Sequence, residues 1–148
     1  MSLQIIVDNQ STLKAWAAAR LEIGGPWPQS TEALGIIDAE TGAIRAVLIV
    51  VQTYAEQCDV SIATDESRKW ATRNILGGIF GFIFLIKRNK IARVTISHNN
   101  VPSLVMCIKM GWQIEGRIRD ADNEGSDGII MSMTRDECVW IKEAPSHG

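Results

Sequence analysis

The run Glu66-Ser67-Arg68-Lys69-Trp70-Ala71-Thr72-Arg73-Asn74-Ile75-Leu76 holds the groups best suited to gripping an anion. It opens a helical pattern, and the first turn of a helix presents backbone N–H groups that the helix itself leaves unsatisfied. Their dipole favours negative charge, so Trp70, Ala71, Thr72 and Arg73 offer backbone, hydroxyl and guanidinium to a phosphate. No glycine stands in this run to let a phosphate approach bare backbone. The plainer alternative is a helix start with Trp70 packed beneath it. Charge agrees with an anion: from Thr64 to Asp120 ten basic residues stand against four acidic ones, net +6, while the whole chain carries −2. Such a balance disfavours general nucleic-acid binding and suits one compact polyanion.

Metal chemistry is disfavoured. Cys58, Cys107 and Cys138 are odd in number and widely spaced, with no C-x-x-C pair and only His98 and His147 to assist them. Unpaired cysteines point to a reducing, cytoplasmic setting. The opening MSLQIIVDNQS lacks a basic segment followed by an apolar one, so no signal peptide is expected.

The elements that must position these groups follow from periodicity. Gln4–Val7 reads as a first strand. Ser11–Leu21 reads as a helix with a capping serine, stopped by Gly24-Gly25-Pro26. Thr31–Asp38, Ala43–Tyr54 and Asp59–Thr64 read as three strands, the first two joined as a hairpin across Glu40-Thr41-Gly42. Ala46–Val51 is apolar on both faces, as a central strand covered by helices must be. Ile75–Ile86 reads as a helix of about 18 Å at about 1.5 Å per residue, too short for a hydrocarbon layer of about 30 Å. Gly77, Gly78 and Gly81 would then bring its backbone close to the sheet.

Ile91–Asp120 completes the pattern as strand, Asn-bearing turn, helix, glycine stop and strand. Pro102 suits the first helical turn, and Gly111 supplies the left-handed stop. With 148 residues, 46% of them hydrophobic, and no linker or repeat, residues 1–148 are expected to form one domain.

Several of these residues match a family. Asn100-x-x-Ser103, Lys109-Met110-Gly111-Trp112 and Glu115-Gly116-Arg117-x-Arg119 resemble the N-x-x-S, K-x-G-F and E-G-x-x-R signature of the GNAT N-acetyltransferase superfamily. Arg135-x-Glu137-Cys138-x-Trp140 resembles the tail of its ribosomal-protein N-terminal acetyltransferase branch, and Trp70-x-Thr72-Arg73-x-x-Leu76 resembles a glycine-free variant of its phosphate turn. The likeness covers roughly the last two thirds of the chain.

The resemblance implies a mixed α/β fold: a mostly antiparallel sheet of about six to seven strands, flanked by helices and splayed in the middle. The element order fits, except that a second short helix between Leu21 and Thr31 is not evident. It implies an acetyltransferase using acetyl-CoA and a primary amine acceptor, a protein N-terminus or a small molecule. No membrane partner is implied, and a homodimer is a further expectation. The alternative is an inactive scaffold of the same fold.

In this family the fourth strand, here bearing Ile62 and Thr64, polarises the acyl oxygen through a backbone N–H. Asn100 holds the pantetheine arm, and Ser103 stands near the pyrophosphate that Trp70, Ala71, Thr72 and Arg73 would bind. A lysine-like amine pays about 4.6 kcal/mol to lose its proton at pH 7, so a base is needed. Candidates are Glu56, Asp59 and Glu115. The residue aligned with the family's acid tyrosine is Cys107, a thiol able to protonate the departing thiolate. Acceptor clefts are shaped by the stretches corresponding to Leu21–Gln29 and Asp120–Asp127; the acids Asp120, Asp122, Glu124 and Asp127 either favour a cationic acceptor or, more simply, keep a hairpin tip solvated.

Overall fold

The computed structural model describes residues 2–22, 24–67, 69–121 and 124–142. In chain order the elements are β1 (Leu3–Ile6), α1 (Gln10–Arg20), β2 (Thr31–Asp38), β3 (Ile44–Tyr54) and β4 (Gln57–Thr64). Then come α2 (Arg73–Gly81), β5 (Ile91–Ser97), α3 (Val101–Met110), β6 (Gln113–Ile118) and β7 (Gly128–Thr134). The seven strands form one sheet, ordered β1-β2-β3-β4-β5-β7-β6. Every pairing is antiparallel except β4 with β5, which is parallel and short.

Alternation along β3 explains why that strand is apolar on both faces. Ala46, Leu48 and Val50 face a core built with α2, α3 and Trp70. Val47 and Ile49 face a second core with Leu13 and Ala17 of α1. At about 25 cal/mol per Å² of apolar surface, burial on both faces lets this one strand stabilise both cores.

The helices differ from expectation at their ends. The start of α1 is not capped by Ser11: its N-cap is Asn9, held left-handed at φ 59° with no side-chain capping bond. The apolar run does not continue as one α-helix to Ile86. α2 stops at Gly81, and Phe82–Ile86 forms a π-helical turn closed by Lys87 N–H donating to the Phe82 carbonyl at 2.9 Å. Burial fades with it, since Ile83 and Phe84 are core but Leu85 and Ile86 are exposed. Of the three glycines, Gly78 fits the close-approach reading best: a Cβ there would stand 2.6 Å from Cδ1 of Ile5, whereas Gly81 has open space. No helix appears between Leu21 and Thr31 among the described residues. Arg68, Asp122 and His147 lie outside the described residues. No helix of the described residues is long and apolar enough to cross a membrane.

Candidate active site

The site originates in a failure of strand pairing. β4 and β5 are in register only at Gln57–Ile91, Cys58–Ala92 and Asp59–Arg93. Beyond these pairs β4 stays bonded to β3 as far as Thr64, and β5 to β7 as far as Ser97, so the strands part and a wedge opens between them. The backbone groups along Val60–Thr64 and Val94–Ser97 that would have joined the ladder are left facing this gap. Buried backbone polar groups require partners, so the gap is suited to an extended, amide-bearing chain.

A cleft of about 640 Å³ fills the wedge and passes through the sheet. Alternation gives it two different halves. On the α3 side its walls are Ile62, Val94, Ile96, Ser103, Met106 and Cys107, largely apolar. On the α1 side they are Ser61, Thr95 and Ser97, with Arg20, Glu22 and Glu124 around them. A second groove of about 370 Å³ lies between the approach to α2 and the flank of α3, walled by Ala71, Leu76, Lys109 and Trp140; it shares Met106 with the first.

Asn100, Ser103, Ile62 and Cys107 are the sequence candidates that the fold brings together in the cleft. Asn100 is also the N-cap of α3, its Oδ1 accepting from Ser103 N–H at 3.3 Å. Cys107 is 1% exposed, and burial pushes its thiol up to about 11. The thiol therefore keeps its proton at neutral pH.

The remaining candidates stand elsewhere. Trp70 is core, its indole N–H donating to Thr64 Oγ1 at 2.6 Å. That bond takes the Thr64 side chain out of the cleft. Ala71 walls the second groove. Thr72 caps α2 by accepting from Ile75 N–H at 3.4 Å. Arg73 is exposed, its guanidinium 5.8 Å from the Trp140 ring centre. The first turn of α2 is therefore open to an anion but offers fewer backbone donors than a glycine turn would.

The three candidate bases stand away from the open end of the wedge. Asp59 is exposed at the closed end of the wedge and paired with Arg93 at 3.4 Å. Glu56 is paired with Lys90 at 3.2 Å at the same end of the sheet. Glu115 lies on the edge strand β6, accepting from Ser132 Oγ at 2.6 Å, two strands from the gap. Among the described residues the carboxylates that line the cleft are Glu22 and Glu124. Glu22 follows α1 at φ 55°. Glu124 sits in the β6–β7 connection, which Asp127 organises by accepting from Asp120 N–H at 3.0 Å and pairing with Arg117. These bonds hold the Asp127 carboxyl below its usual range.

No protein-family model and no curated protein sequence matches the chain. Solved structures do. A variant of spermidine N-acetyltransferase from Vibrio cholerae matches with TM-score 0.77 at 10% identity, over 95% of this chain and 97% of that one. The enzyme from the same organism in complex with CoA and spermine matches with TM-score 0.73 at 9% identity, over 95% and 99%. Its dodecameric form in an intermediate state matches with TM-score 0.73 at 9% identity, over 91% and 95%. These are polyamine enzymes, so the ribosomal-protein branch suggested by Arg135–Trp140 gains no support from them. At this identity the likeness is one of fold, and the fold of this chain is that of the GNAT N-acetyltransferases.

Proposed function

We propose that the chain is an acetyl-CoA-dependent N-acetyltransferase acting on the primary amine of a small molecule. The observation that carries this reading is the parting of β4 from β5 after Asp59–Arg93, at a cleft bordered by Asn100 and Ser103. Its apolar half suits a pantetheine arm and acyl group, with unpaired strand backbone to bond the arm's amides. Its polar half suits an amine. The phosphates lie toward the first turn of α2, with Thr72 and Arg73, and the second groove at Ala71, Lys109 and Trp140 receives the rest of the nucleotide.

Acetyl-CoA supplies an activated thioester carbonyl, and the remaining work falls to the protein. An unpaired N–H of the Val60–Thr64 segment polarises the acyl oxygen. The neutral amine enters from the α1 side and forms the new C–N bond as the C–S bond breaks. Its surplus proton passes to water or to a carboxylate of the α1 half, where Glu22 and Glu124 stand. The Cys107 thiol donates its proton to the leaving sulfur and is recharged, through water, by the proton the amine gave up, a modest aid because coenzyme A is itself a thiol.

The inactive scaffold remains a second reading because the α2 start lacks glycine and Trp70 fills the space beneath it. Release of free thiol from acetyl-CoA in the presence of an amine panel separates the two. Amine-dependent release supports the transferase. Binding of acetyl-CoA with no release for any amine favours the scaffold.

A further inference from the structure

We infer that Arg20 makes the acceptor half of the cleft selective for amines that also carry a carboxylate, the α-amino-acid class, over di- and polyamines. This inference rests on the transferase reading above. Arg20 closes α1 and walls the cleft on the same side as Ser61, Thr95 and Ser97. Its guanidinium lies 4.2 Å from the centre of the Trp16 ring, and its Nη1 donates to the Thr64 carbonyl at 3.5 Å. Among the described residues it forms no salt bridge. Arginine presents a flat fork that matches a carboxylate in bidentate fashion, and a stacked guanidinium loses little freedom when it does so.

The two signs of charge in this half define the class. Arg20 faces the cleft together with Glu22 and Glu124. A zwitterion finds a partner for each end there. A polyamine gains Glu22 but must also lie beside the exposed Arg20 guanidinium, which forms no salt bridge among the described residues, and like charge at that end weakens binding. The structural relatives named above act on spermidine, so this reading departs from them on the residues of this chain.

Matched acceptors that differ only by the carboxylate provide the test: lysine against cadaverine, ornithine against putrescine, arginine against agmatine. Free-thiol release and the rise in melting temperature with each acceptor and coenzyme A are read for wild type, Arg20→Ala and Arg20→Glu. The expected result is a kcat/KM at least tenfold higher for the amino acid of each pair. Arg20→Ala brings the pair to near equality, and Arg20→Glu reverses the order. Equal or better use of the diamines by wild type overturns the inference, as does a preference that survives Arg20→Ala. If coenzyme A binds but neither member of any pair is acetylated or shifts melting, this inference falls and the cofactor cleft stands. If coenzyme A does not bind, both fall.

Discussion

Asp59 and Arg93 are the last residues that β4 and β5 hold in register, and their side chains meet at 3.4 Å across the closed end of the wedge. The pair marks where the sheet stops being continuous. It is exposed, and ion pairs of that kind contribute about 0 to 1 kcal/mol.

Asp59→Asn is therefore expected to keep turnover within about twofold of wild type and stability within about 1 kcal/mol. Steady-state assay and urea unfolding check this. A loss of turnover of a hundredfold or more with unchanged stability would return Asp59 to the catalytic role that its position on the fourth strand suggested.

Asn100 performs two tasks that substitution can separate. Asn100→Ala removes the cap of α3 and the cleft amide together, which is expected to cost about 1 kcal/mol of stability and to raise KM for acetyl-CoA. Asn100→Ser keeps a capping oxygen, so stability should return while KM stays high. Melting curves and kinetics on the same preparations read both outcomes.

The buried thiols tie stability to alkaline pH. Burial pushes Cys107 up to about 11, and Cys58, with Asp59 beside it, up to about 12. The folded state holds these protons more tightly than the unfolded state does, each unit being worth about 1.4 kcal/mol. Their contribution is complete below the unfolded value of 9.0 and is lost as pH climbs through 11 to 12. Melting temperature in Cys107→Ala should consequently fall less steeply than in wild type from pH 9 to 11, with no difference in slope between pH 6 and 8.

The parts of the fold legible in the sequence were those with a local cause. The doubly apolar stretch Ala46–Val51 identified the central strand, and Gly111, at φ 107°, identified the end of α3. Asn100 and Ser103 were legible because cap and cleft share the same short motif. The π-turn at Phe82–Ile86 was not, since nothing in ILGGIFGFIFLI distinguishes i+4 from i+5 bonding. The sequence allows Trp70 either beside a phosphate or in the core, and the fold places it in the core, where its indole finds Thr64. Asp59 and Glu115 lie away from the open end of the gap, and strand position alone says nothing about which end of a wedge a residue occupies. Arg20, Glu22, Ser61 and Thr95 were missed as individual residues; they meet only when α1 folds across the sheet, and the one local hint was the polar alternation of Thr95 and Ser97 within β5.

Whether the gap between β4 and β5 receives an acyl carrier is tested most directly by calorimetric titration of acetyl-CoA, with a melting curve beside it. The account predicts saturable binding by wild type and a melting rise of about 5 to 10 °C at about 100 times the dissociation constant. It also predicts loss of both signals in Ile96→Trp, which fills the gap, provided that variant still melts cooperatively. Absence of heat and of any melting shift for wild type at millimolar acetyl-CoA, or full binding by a folded Ile96→Trp, would contradict it.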